Sequence, residues 1–288
     1  MIGQTVSHYK ILEILGYLCM PPGDVIYLAE DVDLRRKVVI RFLQADQVVD
    51  PELKSKVKQE AQTAAAFNHP NLLAVYEVAE YQDTCYIVME YIDGKSVRDL
   101  LQEKGLSLKQ ALDIGIQVCE GLAKVHQAGM VHGNIKSNNI LVNVDGQAKV
   151  LVFGLATLKG GSKVRPEDLI PGMMAYMSPE QVQGGEIDVR TDIFSFGVVL
   201  YEMITSRHPF EWAHSMAVPY SILYESPLSL ARFNREVPPK LQEIVDRALA
   251  KRMEERFGQI EELLAELRHC KKEMEGGKEH KKQSPMNQ

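Results

Sequence analysis

The sequence predicts an α+β chain of two lobes, a small sheet with one helix followed by a larger, mainly helical lobe. Three observations predict it. The 288 residues exceed one average domain. The first ninety residues carry short β-branched runs separated by Gly and Pro. From Ser96 onward, apolar residues recur at helical spacing.

In chain order, Tyr9–Leu15, Val25–Ala29 and Lys37–Phe42 read as strands. Pro51 opens a helical stretch to about Phe67, which His69-Pro70-Asn71 ends. Leu72–Glu80 and Thr84–Glu90 are two further strands. Ser107–Ala128 is a long amphipathic helix whose apolar side carries Leu108, Ala111, Leu112, Ile114, Val118, Leu122 and Val125. Ile140–Val144 and Ala148–Val152 form a hairpin about the Asp145-Gly146 turn. Thr191–Thr205 is apolar nearly all round, so it is expected to be a buried central helix. Lys240–Lys251 and Gln259–Lys272 are amphipathic helices, and the polar 273–288 is expected to be a flexible tail.

Composition narrows the class. Hydrophobic residues make up 45% and charged residues 25%, enough apolar material for a core. A net charge of -6 argues against a nucleic-acid partner. The four cysteines form no C-x-x-C pair, which suggests reduced thiols. No apolar run reaches the ~20 residues of a membrane span. The first ten residues lack a signal-peptide pattern, so a cytoplasmic location is expected.

Several strings then occur together in a fixed order: His69-Pro-Asn71, Val88-Met-Glu-Tyr91, Tyr176-Met177-Ser178-Pro179-Glu180-Gln181, Asp192-Ile-Phe-Ser-Phe-Gly197 and Arg207-His-Pro-Phe210. Over about Tyr9 to Cys270 the chain resembles the eukaryotic-like serine/threonine protein kinases of bacteria. The resemblance implies a bilobal kinase-like domain over 9–272. Its small antiparallel β-sheet lobe with one helix would be 9–90, and its helical lobe 95–272. It also implies that Glu180 and Arg256 pair inside the large lobe and that Asp192 receives hydrogen bonds from the catalytic-loop backbone.

Phosphoryl transfer needs phosphate positioning, metal ions and a carboxylate that orients the attacking hydroxyl. On the resemblance, those positions are altered here. Arg41 stands at the phosphate-anchoring lysine, with Glu60 as its family partner; a planar guanidinium is no simple substitute for an ammonium. Asn134 stands at the proton-accepting aspartate, and an amide has no comparable proton affinity. Val152 stands at the metal-binding aspartate and offers no oxygen. Gly133 replaces an arginine, while Lys136 and Asn139 remain. In the phosphate-covering loop Gly16 is kept, but Leu18, Pro21 and Pro22 depart from the pattern. From Val131 to Arg165 the only carboxylate is Asp145.

These departures imply a catalytically inactive, pseudokinase-type scaffold or allosteric regulator. Its expected partner is a protein, such as an active kinase or another signalling protein. The alternatives are a weak serine/threonine kinase that binds ATP and a nucleotide sensor without turnover. No cofactor is expected beyond weak, metal-independent ATP binding. A residual nucleotide site would comprise Gly16, Val25, Val39, Arg41, Glu60, Glu90, Ile92, Lys136, Asn139 and Leu141. Met173 and Met174 would mark a partner groove where family members hold substrate, since methionine suits adaptable apolar surfaces.

Overall fold

The computed structural model describes residues 1–18, 24–43, 59, 62–82, 84–152, 174–210 and 218–282. The chain divides into two compact units, Met1–Asp93 with Leu151–Ala156, and Gly94–Val150 with Thr157–Gln288.

The first unit is an antiparallel sheet. Its strands are β1 Thr5–Val6, β2 Tyr9–Leu18, β3 Asp24–Asp31, β4 Arg36–Phe42, β5 Val75–Tyr81 and β6 Thr84–Glu90, in the order β1-β2-β3-β4-β6-β5. Period-two burial explains β4: Val38, Ile40 and Phe42 are buried while Val39 and Arg41 between them are half-buried. The buried set joins Val6, Tyr9, Ile11, Tyr27, Ala29, Tyr86 and Val88 in one cluster. Tyr27 meets Phe42 edge-on at 5.7 Å between ring centroids. Tyr9 on β2 donates to Glu77 Oε2 on β5 at 2.6 Å. Those strands lie near opposite ends of the strand order, so the sheet curls. Of the helix expected over 51–67, residues 59 and 62–67 are described; 59 and 62–65 are helical, and 66–67 lie beyond the helix end.

The second unit is built on helices: α1 Val97–Glu103, α2 Leu108–Gln127, α3 Pro179–Val182, α4 Val189–Thr205, α5 Val218–Tyr224, α6 Pro239–Ala248 and α7 Ile260–Lys282. Capping boxes start three of them, Ser96 with Asp99, Ser107 with Gln110 and Ser178 with Gln181. From Thr191 to Ile204 every residue of α4 is buried, as its largely apolar surface requires. A small antiparallel sheet joins β7 Gly94–Ser96, β8 Ile140–Asn143 and β9 Ala148–Val150. Asn143 Oδ1 accepts from the Asp145 and Gln147 amides and so shapes the hairpin turn.

One expectation changes at the C-terminus. Residues 273–282, expected to be flexible tail, continue α7. Their Glu and Lys content favours helix, and His269 bridges Glu273 one turn on at 3.2 Å. The Gly276-Gly277 pair weakens the helix without ending it.

Candidate functional site

On the sheet, register decides which side chains share a face. Arg41 lies opposite Ile26 on β3 and Ile87 on β6; Val39 lies opposite Leu28 and Met89. Cross-strand partners point the same way, so Ile26, Leu28, Val39 and Arg41 form one face. Val25 lies opposite Phe42 and packs on the core cluster of the other face. Its expected place in a nucleotide site is therefore a correction: the residue that accompanies Arg41 is Ile26. A slip of one residue reverses every side chain of a strand. The Pro21-Pro22 loop hid the phase of β3 from the sequence.

Gly16 pairs with Ile26 beside an irregularity in β2. Glu90, at the end of β6, accepts from the Ala74 amide at 3.2 Å through Oε2. Its own amide donates to the Ala74 carbonyl at 2.9 Å. Ile92 is half-buried just beyond it, and Val152 is 2% exposed. Glu60 lies outside the described residues, and with it the expected Arg41–Glu60 bridge.

In the helical unit, the loop that carries Asn134 is held from behind. Asp192, fully buried on α4, accepts from the His132 amide at 2.8 Å and the Gly133 amide at 2.6 Å. His126 Nε2 lies 2.8 Å from the same carboxylate. Gly133 takes φ 66°, which glycine adopts without strain. Asn134 follows, half-buried, and its carbonyl accepts from Asn139 Nδ2 at 2.9 Å. That bond uses the amide nitrogen of Asn139 and leaves its carbonyl oxygen as an atom able to meet a cation. Lys136 and Leu141 are half-buried on either side of the 3-10 turn Ser137–Asn139.

The chain is described again from Met174. Met174 is 8% exposed, so its place in an open partner groove is corrected: this thioether belongs to the core. Met173 lies outside the described residues. A few residues on, Arg256 Nη1 and Nη2 each meet a Glu180 carboxylate oxygen at 2.8 Å, and Thr191 donates to Glu180 Oε1 at 2.8 Å. Burial opposes the charge on Glu180, but the Arg256 hydrogen bonds and charge outweigh it and hold the carboxyl below its ordinary range.

The loop, its buried aspartate and the ion pair lie in a chain that matches the family described as protein kinase domain over residues 23–267. The chain belongs to the protein kinase family. It is 34% identical over 270 residues to the serine/threonine-protein kinase PrkC of Bacillus subtilis, covering 93% of this chain and 41% of that protein. It is 36% identical over 268 residues to the serine/threonine-protein kinase PknB of Mycolicibacterium smegmatis, covering 91% and 42%. The chain thus spans about two-fifths of the length of these curated relatives. Among solved structures, the kinase domain of Mycobacterium tuberculosis PknI superposes with a TM-score of 0.72 at 21% identity, covering 94% of this chain and 98% of that one.

This membership overturns the expectation of no cofactor. The relatives are serine/threonine kinases, and such kinases use ATP with magnesium. The residues present fit that group in part. Arg41 supplies positive charge on the Ile26 face, and Asn139 supplies an oxygen. Among the described residues, no cluster of three or more His, Cys, Asp and Glu could hold a metal ion on its own. Magnesium commonly needs no such cage, because nucleotide phosphates and water complete its shell. Nor is any helix among the described residues long and apolar enough to cross a membrane.

Proposed function

We propose that this chain is a serine/threonine-type protein kinase domain that takes ATP with magnesium, acts on a protein, and transfers phosphate slowly. The observation that carries the reading is the formed catalytic loop: Asp192 holds the His132 and Gly133 amides, and Asn139 closes the loop on the Asn134 carbonyl. The fully buried Asp192 carboxylate fixes the backbone of that loop in one shape. The identity to proteins named serine/threonine kinases supports the same reading.

When bound, magnesium–ATP would supply the phosphoryl group and positive charge to offset its phosphates. In the helical unit, Lys136 would meet phosphate oxygens and the carbonyl oxygen of Asn139 would face the metal; in the sheet unit, Arg41 offers positive charge. The Asn134 amide can orient an attacking hydroxyl by accepting its hydrogen bond, but it cannot take the proton. Losing a general base typically costs about 10²–10⁴-fold in rate. Val152 adds no oxygen ligand, which lowers the rate further. A thermal-shift titration with magnesium–ATP, run beside transfer from labelled ATP to a general protein substrate, tests the reading. Binding with slow transfer, abolished by Lys136→Ala, is the expected result; neither binding nor transfer would refute it.

A second reading is a regulator that binds nucleotide and a protein partner without turnover. Asn134 and Val152 together favour it, since both chemical positions are altered in one chain. Binding with transfer indistinguishable from a blank would select it.

A further inference from the structure

We propose that Tyr176 is a positioning residue. Its hydroxyl pins the 136–139 turn to the helical lobe, and so sets where Lys136 and Asn139 stand. Ser137 Oγ and Tyr176 OH are 2.7 Å apart, and both side chains are buried. Tyr176 OH donates to Glu202 Oε2 at 2.8 Å. Arg98 Nη1 donates to Glu202 Oε1 at 2.7 Å. A phenol has one hydrogen, and it is committed to Glu202. The Ser137 hydroxyl must therefore donate to Tyr176. The relay runs in one direction: Ser137 to Tyr176, Tyr176 to Glu202, with Arg98 closing the far oxygen.

Four separate elements meet here. Ser137 opens the 3-10 turn, Tyr176 ends the segment before α3, Glu202 lies on α4 and Arg98 on α1. The catalytic loop is thereby held at two places. Asp192 takes the amides of His132 and Gly133, and Tyr176 takes the hydroxyl of Ser137. Between those anchors stands Asn134. Lys136 is the direct neighbour of Ser137, and Asn139 ends the same turn, where its amide donates to the Lys136 carbonyl at 2.9 Å. A change at Tyr176 thus reaches both residues without touching either. The relay also gives the segment before α3 a route to the loop through one hydrogen bond. Networks of this kind are worth more than their separate bonds when every member is satisfied.

The inference rests on the proposed function only for what Lys136 and Asn139 bind. Its test is hydrogen exchange over residues 132–139 in the full chain, comparing Ser137→Ala, Ser137→Thr and Tyr176→Phe with the parent. Ser137→Ala should speed exchange there about fivefold, the loss of one neutral hydrogen bond, while α2 and α4 stay unchanged; Tyr176→Phe, which also gives up the bond to the Glu202 carboxylate, should speed it by more. Ser137→Thr keeps the hydroxyl and should restore the parent rate. The magnesium–ATP dissociation constant should rise by a similar factor in Ser137→Ala and recover in Ser137→Thr. Unchanged exchange in Ser137→Ala would overturn the proposal. So would faster exchange spread evenly through α2 and α4, since that marks a merely structural role. If the parent binds no magnesium–ATP, the proposed function fails, and exchange alone still decides the relay.

Discussion

Arg256 grips Glu180 with both arms of its guanidinium, Nη1 to Oε1 and Nη2 to Oε2 at 2.8 Å each, across 76 residues of chain. The arginine side chain is wholly buried and the glutamate nearly so. The remaining guanidinium bonds go to the Ala250, Arg190 and Lys251 carbonyls. The pair therefore ties α3, the start of α4 and the loop after α6 together. Removing one partner leaves a charge without compensation in the interior. Arg256→Ala should cost about 3–5 kcal/mol in urea unfolding. Glu180 has its carboxyl pKa lowered by folding, so its contribution is present above the unfolded value and lost as pH falls through the folded one. The Arg256→Ala deficit should accordingly shrink in acid.

His208 provides a second pH-dependent term. Burial, with the nearby Arg98 charge, pushes its imidazole down to about 4 from an ordinary 6.5. The folded chain keeps His208 neutral where the unfolded chain takes a proton. Stability from this group is complete above about 6.5 and is lost as pH falls toward 4, with a slope near ~1.4 kcal/mol per pH unit. His208 Nδ1 accepts from the Phe210 amide at 3.2 Å, and Asn at this position can supply a comparable acceptor. His208→Asn should therefore lose less stability than the parent between pH 7 and pH 5. Equal losses in paired urea titrations would remove His208 as the cause.

The face assignment on β3 separates two neighbouring residues. Val25 packs on the Phe42 cluster, whereas Ile26 shares the Arg41 face. Val25→Ala should lower stability by about 1 kcal/mol and leave magnesium–ATP affinity alone. Ile26→Ala should weaken magnesium–ATP binding several-fold with a smaller stability change. Calorimetric titration and urea unfolding of both variants check this, and a reversed pattern would return Val25 to the nucleotide face.

These cases show what the sequence discloses and what it hides. The buried α4 was legible because a helix apolar nearly all round has one natural place. Asp192 and Glu180 were legible because short strings with fixed order carry them, and Arg256 because the resemblance pairs it with Glu180. Val25 was misplaced because a strand's phase is lost when an irregular loop precedes it and shifts the count by one. Met174 was taken as open because a few residues between loops have no period from which to read burial. The Ser137–Tyr176–Glu202–Arg98 relay had no sequence signal at all. Its members lie up to 104 residues apart, and hydroxyl partners are chosen by the fold.

The catalytic positions allow a test by restoration. Asn134→Asp alone supplies a carboxylate that can accept the substrate proton, but Val152 still gives the metal no oxygen. Val152→Asp alone supplies that oxygen, but the attacking hydroxyl still has no base. Groups that act as a unit are strongly non-additive, so each single variant should transfer phosphate within a few-fold of the parent. The double variant should rise by about 10²-fold or more, the scale of a recovered general base. Val152 is 2% exposed, so an aspartate there carries a desolvation cost that shows as lower stability without ligand and recovery with magnesium–ATP. The readouts are initial rates of label transfer to a protein substrate and melting temperatures with and without magnesium–ATP. A fully restored rate in Asn134→Asp alone would show that the metal is already held. A double variant that folds and binds magnesium–ATP yet transfers no faster than the parent would place the block elsewhere in the chain, with Arg41 the next position to change.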